Sequence, residues 1–188
     1  MKLKLFAVCI GLCLSFGAFA ARPMVEMNTN LGSFTLELYP ERAPQTVENF
    51  LRYVKSGFYQ GTLFHRVIDG FMIQGGGFDT NLREKKTLAP IPNEANNGLK
   101  NEKYTLAMAR TMDPDSATAQ FFINVRGNDF LDYTAPTPGG WGYAVFGKVV
   151  KGQAAVMKIA QVPTGPKGPL PSDVPQTNVV IENVKLLP

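Results

Sequence analysis

The chain has 188 residues, of which 45% are hydrophobic and 18% charged, a composition that fits a globular protein with a substantial apolar core. It carries a formal net charge of +4 and one histidine. The mild charge, with no basic cluster beyond Arg83-Glu84-Lys85-Lys86, argues against binding to nucleic acid. A single histidine also excludes a metal site built from several histidines.

Residues 1–20 have the pattern of a secretory signal peptide. Two lysines precede an apolar run from Leu5 to Phe19, and Ala18-Phe19-Ala20 supplies the small residues that signal peptidase requires. The run is shorter than the roughly 20 residues that a membrane-spanning helix needs. We therefore expect export, cleavage after residue 20, and no membrane anchor in the mature protein.

Both cysteines, Cys9 and Cys13, lie inside this N-terminal segment. The mature protein would therefore have neither a disulfide nor cysteine chemistry, and its stability must come from its core. Residues 21–188 have a length that suits one domain.

The mature chain opens with a predicted hairpin and an amphipathic helix. Residues 25–29 and 34–39 alternate apolar and polar side chains around a short turn that contains Gly32, which indicates two half-buried strands. Residues 43–54 then change period, and this change predicts a helix. The apolar positions that share one face of this helix are Val47, Phe50, Leu51 and Val54.

The rest of the chain is predicted to be mostly strands. Six segments have the pattern of strands: 62–68, 71–74, 104–109, 119–125, 144–149 and 179–187. A second helix is predicted over residues 153–159. Strands with two helices that do not alternate with them argue against a doubly wound sheet, and favour a mainly β fold, an antiparallel barrel or sandwich capped by helices.

Two irregular tracts, residues 79–101 and 163–175, interrupt this pattern. The second tract carries five prolines. It has the composition of a polyproline recognition segment, but a rigid surface loop is the interpretation we favour.

The segment 64–77 holds the side chains with the clearest chemistry. It combines one cation, Arg66, with two large apolar residues, Phe71 and Met72. One amide, Gln74, comes next and is followed by three glycines. No acid–base pair and no nucleophile accompanies them, so a reaction that breaks no covalent bond suits the segment. Rotation about a prolyl peptide bond is such a reaction, because a donor near the prolyl nitrogen and an apolar pocket for the ring lower its barrier.

The same residues also fit an ordinary buried strand with Arg66 at its rim, and the segment alone leaves these two interpretations open. On a strand, Met72 and Gln74 would share one face. We predict that His65 is a packed, hydrogen-bonded strand residue rather than a catalyst.

Residues 64–76 resemble, almost position for position, the signature of the cyclophilin peptidyl-prolyl isomerase family. A second set of matching segments lies at 106–110, 116–123 and 146–149, and the early motif Ala43-Pro44-x-Thr46-Val47-x-Asn49-Phe50 also matches. The resemblance covers nearly all of residues 24–187. It implies a closed eight-stranded antiparallel β-barrel capped by two α-helices, with no metal and no organic cofactor.

The resemblance also implies roles for individual residues. Arg66, Phe71 and Gln74 would be catalytic, with Arg66 supplying the guanidinium. The residues that would bind substrate are Met72, Ala109, Arg110, Gln120, Phe122, Phe130, Leu131 and Tyr143. Among these, the proline ring would lie against Phe71, Met72, Phe122 and Leu131, and the peptide backbone against Gln74, Ala109 and Gln120.

Three positions depart from many members of the family. Phe130 stands where many members have Trp, and losing the indole donor predicts weak cyclosporin binding at most. Tyr143 stands where many have His, and it can cover the ring without taking a charge. Arg110 replaces a common Asn, which predicts a preference for acidic or carbonyl groups nearby.

The sequence therefore predicts a periplasmic peptidyl-prolyl cis-trans isomerase that assists the folding of exported, proline-containing polypeptides, and that acts as a monomer. The alternative from another class is a proline-binding chaperone module with little catalysis. A secreted ligand-binding barrel has only the strand content in its favour.

Overall fold

A computed structural model describes residues 21–188, and the predicted signal peptide of residues 1–20 lies outside the described residues. Eight strands form the barrel: β1 (Met24–Thr29), β2 (Gly32–Leu38), β3 (Thr62–Ile68), β4 (Met72–Asp79), β5 (Thr105–Met108), β6 (Phe121–Asn124), β7 (Val145–Lys151) and β10 (Val180–Leu186). Two helices, α1 (Pro44–Lys55) and α2 (Gln153–Ala160), and a separate hairpin of β8 (Thr164–Lys167) and β9 (Leu170–Pro175) complete the fold.

The eight strands close into one antiparallel barrel in the order β1-β10-β3-β4-β6-β5-β7-β2. The predicted eight-stranded barrel with two helices is therefore confirmed. Both predicted helices and all eight predicted strands are present, with ends that differ by a few residues. The largest difference is in β4, which the sequence predicts to end at residue 74 and which continues to Asp79.

The interior of the barrel is a single apolar core, and the strands alternate between it and the outside. In β6, Phe121 and Ile123 belong to the main core, whereas Phe122 belongs to a second apolar cluster on the outer face. In β4, Ile73 points inward and Met72 outward. This alternation is the ordinary period of a strand, and it builds the outer cluster from residues next in sequence to core residues.

Helix α1 closes one part of the barrel with the apolar face that its periodicity predicts. Phe50 is fully buried, and its ring packs 5.2 Å from Tyr59, 5.8 Å from Phe121 and 5.3 Å from Phe146, measured between ring centroids. Aromatic pairs at these separations add to the stability that burial provides. The helix is therefore fixed to the barrel through its side chains.

The proline-rich tract 163–175 is not the loop that the sequence predicts, because most of it forms the β8–β9 hairpin. Its Val174 is buried in a small cluster with Leu63 of β3 and Leu82 in the bend after β4. Prolines are tolerated in such a pair of strands because each strand has a free edge where no backbone N–H is required. The hairpin is thereby anchored next to β3.

Among residues 21–188, no helix has both the length and the apolar character needed to cross a membrane.

Candidate active site

A cavity of about 250 Å³ opens on the outer face of the barrel, over the second apolar cluster. The side chains that line it are Arg66, Phe71, Met72, Gln74, Ala109, Arg110, Phe122, Leu131 and Tyr143. These are nine of the eleven site residues that the sequence predicts. The other two, Gln120 and Phe130, contact lining residues without lining the cavity themselves.

A β-bulge in β3 directs Arg66 into this groove. Phe64 pairs with Gly75 and Arg66 pairs with Gln74, so His65 is an extra residue with no partner of its own in β4. A regular strand would place Arg66 on the same face as Phe64, which is in the core. The extra residue reverses this phase, since bulges re-aim the side chains that follow them.

The floor of the groove is apolar and is formed by residues from four separate parts of the chain. Met72 and Phe122 are almost fully buried, and they belong to one cluster with Leu131 and Tyr143. The ring of Tyr143 lies edge-on to that of Phe122, with 5.6 Å between centroids and 80° between planes. A flat apolar ring can pack against this surface.

Phe71 lies at the mouth of the groove, immediately after the turn that joins β3 to β4. Gly70 in this Asp69-Gly70 turn has φ 65°, a conformation that glycine adopts without strain. The ring of Phe71 stacks on Phe130 at 5.6 Å and 26°. Phe130 is 65% exposed, so the stacked pair forms the outer rim.

A buried network of asparagines supports this rim, and the sequence analysis missed it. Nδ2 of Asn128 donates to the carbonyl of Phe71 at 3.0 Å and to Oδ1 of Asn124 at 2.7 Å. Nδ2 of Asn124 in turn donates to Oδ1 of Asn101, and Nδ2 of Asn101 donates to the carbonyl of Leu131. Buried amides with satisfied partners fix the backbone they contact. The network therefore ties the backbone at Phe71 to the backbone at Leu131.

The polar edge of the groove is a row of three side chains. Nη1 of Arg66 donates to Oε1 of Gln74 at 3.5 Å, and Nε2 of Gln74 donates to Oε1 of Gln120 at 3.0 Å. Gln120 also lines a second cavity of about 320 Å³, which shares Gln74, Ala109 and Arg110 with the first. The row therefore runs from the first cavity to a second one that shares part of its lining, an arrangement that suits an extended chain bound across both.

Glycine in β4 makes room for this arrangement. A Cβ atom at Gly77 would lie 2.5 Å from Cγ of Gln120 and would clash with that side chain. The glycine run that follows Gln74 in the sequence thus continues the strand, and Gly77 leaves room for the side chain of Gln120, the residue just before β6.

Arg110 is held by backbone carbonyls. Its Nε donates to the carbonyl of Gly142 at 2.8 Å, its Nη1 donates to that of Thr111 at 2.8 Å, and its guanidinium lies 4.6 Å from the ring centroid of Tyr143. Among the lining residues there are thus two guanidinium groups and no carboxylate. The groove therefore favours electron-rich groups such as carbonyl oxygens.

His65 is buried, as the sequence predicts, but its predicted hydrogen bonding is wrong for Nδ1. This atom is buried and has no hydrogen-bond partner within residues 21–188, while the ring packs 4.5 Å from that of Phe78. Burial lowers the pKa of His65 from 6.5 to about 4, and the positive charge of Arg66 acts in the same direction. His65 is therefore neutral at pH 7 and faces away from the groove that Arg66 lines.

The groove thus has the parts for binding and for charge stabilisation, and its lining lacks the parts for acid–base or covalent chemistry. The side chains around it can hold an apolar ring, place a cation beside it and hydrogen-bond an extended backbone. Such a site can bind a proline-containing segment and favour one electronic state of its peptide bond.

Comparison of the sequence with known proteins gives one consistent result. Residues 24–186 match the model of the family described as cyclophilin type peptidyl-prolyl cis-trans isomerase/CLD. The chain is 61% identical over 163 residues to peptidyl-prolyl cis-trans isomerase cyp18 of Streptomyces antibioticus, covering 87% of this chain and 98% of that protein. It is 55% identical over 161 residues to peptidyl-prolyl cis-trans isomerase B of Escherichia coli K12, covering 86% and 98%.

The fold is similar to that of solved structures. One is a cyclophilin type peptidyl-prolyl cis-trans isomerase of Cryptosporidium parvum, crystallised in the presence of the dipeptide Ala-Pro. The TM-score is 0.70 at 27% sequence identity, and the similarity covers 88% of this chain and 99% of the other.

Proposed function

The chain belongs to the cyclophilin-type peptidyl-prolyl cis-trans isomerase family and its bacterial branch, and from this premise we propose that X-Pro bonds rotate in the groove around Arg66. The chain is a peptidyl-prolyl isomerase. It accelerates the cis-trans isomerisation of X-Pro bonds in proline-containing polypeptides. What we propose is the role of each residue, the cellular site of action and the class of client.

The reaction has a barrier of about 18–20 kcal/mol, because the nitrogen lone pair is delocalised into the carbonyl group. The cis and trans forms of an X-Pro bond differ by only about 0.5–1 kcal/mol, so the enzyme has only to stabilise the twisted state between them. In that state the nitrogen is pyramidal and its lone pair is available. A fixed donor beside the nitrogen therefore lowers the barrier, and each ~1.4 kcal/mol gives a tenfold faster rotation.

Arg66 supplies this donor. The observation that carries the proposal is that Arg66 and the apolar floor line the same cavity of about 250 Å³. Nη1 of Arg66 also donates a hydrogen bond to Gln74 there. A guanidinium stays charged at every working pH and offers donors in a fixed planar fork. It can therefore stabilise the nitrogen lone pair without transferring a proton.

The apolar floor holds the ring while the acyl side turns. Met72, Phe122, Leu131 and Tyr143 surround the position of the ring, and Phe71 closes it at the mouth. The ring must be fixed because an unbound ring would turn together with the acyl group, and the C–N bond would then not isomerise.

The polar edge holds the substrate backbone. Gln74 and Ala109 line both neighbouring cavities and Gln120 lines the second, so these two amides and the backbone of Ala109 can bind the residues next to proline. Rotation breaks no bond, and no step of this proposal calls for a cofactor.

We further propose that the enzyme acts on exported polypeptides in the periplasm. The support is the pattern of residues 1–20, a basic start, an apolar run and Ala18-Phe19-Ala20. Expression of the full chain in a Gram-negative host, followed by mass spectrometry of the periplasmic fraction, tests this. A protein that begins at residue 21 is expected, and an uncleaved protein that stays in the cytoplasm would contradict the proposal.

The role of Arg66 is tested by isomerisation of an Xaa-Pro peptide with the variants Arg66→Ala and Arg66→Lys. Removal of the donor is expected to lower kcat/KM by roughly a hundredfold. Lysine keeps the charge but loses the fork, so it should fall between the alanine variant and the parent. Arg52→Ala, which removes an exposed arginine of α1, serves as the control and should match the parent. An Arg66→Ala variant as fast as the parent would remove Arg66 from the mechanism.

A second measurement separates the isomerase from the chaperone module that the sequence leaves as an alternative. Refolding of a protein limited by proline isomerisation takes tens of seconds or longer without a catalyst. The isomerase should accelerate it at amounts far below those of the substrate. Acceleration only at equal amounts would indicate binding without catalysis.

A further inference from the structure

The proline-rich hairpin β8–β9 places a carboxylate beside Arg66. Oδ2 of Asp173 lies 3.8 Å from Nε of Arg66, and it also accepts a hydrogen bond from Oγ of Ser172 at 3.0 Å. Neither the sequence pattern nor the family resemblance assigned a role to this hairpin. Asp173 is thus a charged residue next to the groove. The mechanism proposed above gives its carboxylate no role.

The hairpin holds Asp173 firmly. The next residue, Val174, is only 2% exposed and packs with Leu63 of β3 and with Leu82 in the bend after β4. At the base of the hairpin, Nζ of Lys167 donates to the carbonyls of Pro175 and Gln176 and to Oδ1 of Asn178. The carboxylate is therefore carried by an anchored element, unlike a side chain on a free loop.

The backbone at Asp173 has a conformation that few residues adopt. Its φ is 61°, in the left-handed region, where only glycine is at ease and Asp and Asn are tolerated better than others. Such a conformation persists where the surroundings impose it, and it is found most often at functional sites. Here Val174 packs in the small cluster with Leu63 and Leu82 while Asp173 reaches Arg66.

We propose that Asp173 is a positioning residue for the isomerase reaction, and that its carboxylate fixes the guanidinium of Arg66 in the orientation that faces the X-Pro bond. The inference rests on the proposed role of Arg66. The Arg66 side chain is long and 46% exposed, so without restraint it would sample many rotamers in water. Oδ2 of Asp173 lies within ion-pair distance of Nε, and Gln74 accepts a hydrogen bond from Nη1, so a negative charge on one side and an amide oxygen on the other favour one orientation of the planar group.

This role differs from a structural one in what it affects. A solvent-exposed ion pair contributes little to the stability of a protein. Orientation of a catalytic donor, in contrast, acts on the rate of the chemical step. Loss of the Asp173 carboxylate should therefore lower kcat and leave both the KM and the unfolding temperature nearly unchanged.

The test uses the full mature enzyme and the substitution Asp173→Asn, which keeps the size of the side chain and tolerates a left-handed backbone. We expect kcat for an Xaa-Pro peptide to fall threefold to tenfold, with KM within twofold of the parent. Asp173→Gly, which adopts the same backbone freely, should give the same loss. Glu182→Gln removes an exposed carboxylate from β10 and is the matched control for charge.

Two further measurements identify the cause. In an Arg66→Ala background, Asp173→Asn should have no effect on kcat, because the carboxylate acts through the guanidinium. The Nε resonance of Arg66 in a ¹⁵N spectrum should also shift in Asp173→Asn, because the carboxylate 3.8 Å from Nε is lost.

The outcomes distinguish this inference from the proposed function. An unchanged kcat in Asp173→Asn, or a loss that persists without Arg66, overturns the positioning role and leaves the role of Arg66 standing. Full activity in Arg66→Ala overturns both.

Discussion

Nε2 of Gln74 donates a hydrogen bond to Oε1 of Gln120 at 3.0 Å, which joins two side chains that are 46 positions apart in the chain. Gln74 is the same side chain that accepts from Arg66. The pair therefore connects the guanidinium of Arg66 to the second cavity before any substrate binds. Preorganisation of this kind reduces the reorganisation needed during the reaction.

Gly77→Ala should break this connection. The new Cβ would lie 2.5 Å from Cγ and 2.6 Å from Cδ of Gln120, so the glutamine must move away from Gln74. We expect kcat/KM for a peptide substrate to fall roughly fivefold to tenfold, which corresponds to the ~1 kcal/mol of one hydrogen bond. Steady-state assays over a range of peptide concentrations would measure it.

The control for this substitution is Gly127→Ala, where an added Cβ meets no atom within 4 Å. It should retain the activity of the parent. Equal activity in both variants would show that the position of Gln120 does not affect the reaction.

Asn128→Ala should lower both the stability of the fold and the affinity for a proline-containing peptide. The Asn128 side chain is fully buried, and its loss leaves Oδ1 of Asn124 without its 2.7 Å donor. A buried acceptor left unsatisfied costs about 1–3 kcal/mol, and we expect the free energy of unfolding in urea to fall by about that amount. Because the Phe71 carbonyl also loses one of its two donors and keeps only the N–H of Val125, KM for the peptide should rise more than kcat falls.

Asn81→Ala is the matched control, since Asn81 is an exposed asparagine on the loop after β4. Its substitution should change the free energy of unfolding by less than about 0.5 kcal/mol. An Asn128→Ala variant as stable as this control would show that the asparagine network contributes nothing.

The sequence predicted most of the fold because the fold depends on local patterns. The helical spacing of Val47, Phe50 and Val54 and the alternation around Phe121 and Phe122 are both present in the structure. Each is a property of a few consecutive residues, and the period alone tells which face is buried.

Three features could not be predicted, since each depends on contacts between distant parts of the chain. The bulge at His65 exists because Phe64 and Val67 both pack in the core, a spacing of three that a regular strand does not allow. The asparagine network joins residues up to 57 positions apart. The proline tract forms strands because Val174 packs on the barrel, and composition alone predicted a loop.

Phe130→Trp should increase the sensitivity of the enzyme to cyclosporin. The Phe130 ring is exposed and stacks on Phe71, but it has no hydrogen-bond donor, whereas an indole in its place supplies an N–H. One added hydrogen bond is worth about 1 kcal/mol, so the inhibitory concentration should fall by roughly fivefold to tenfold. Inhibition is measured relative to the uninhibited rate of each variant.

Phe130→Leu serves as the comparison, because it changes the rim without adding a donor. Its inhibition should resemble that of the parent. If the tryptophan and leucine variants are inhibited alike, the donor at this position does not limit cyclosporin binding.

His65 should make the stability of the protein fall in mild acid. Burial lowers the pKa of His65 to about 4 from the 6.5 of an exposed imidazole, so between these pH values the unfolded chain binds a proton that the folded chain does not. Protonation therefore favours unfolding as the pH drops below 6.5, and the full contribution to stability is present only above it. With 1.36 kcal/mol for each pKa unit, the loss between pH 7 and pH 4 is about 3 kcal/mol.

His65→Phe tests this directly, since His65 is the only histidine in the chain. Urea unfolding at pH 7, 5.5 and 4 should show that the variant loses about 3 kcal/mol less than the parent over this range. At pH 7 the variant should be as stable as the parent or more so, because Nδ1 has no hydrogen-bond partner to lose among residues 21–188. His65→Leu, with a smaller side chain, separates this effect from crowding against Phe78. Parallel curves for the parent and both variants would mean that the imidazole is equally protonated in the folded and unfolded chains.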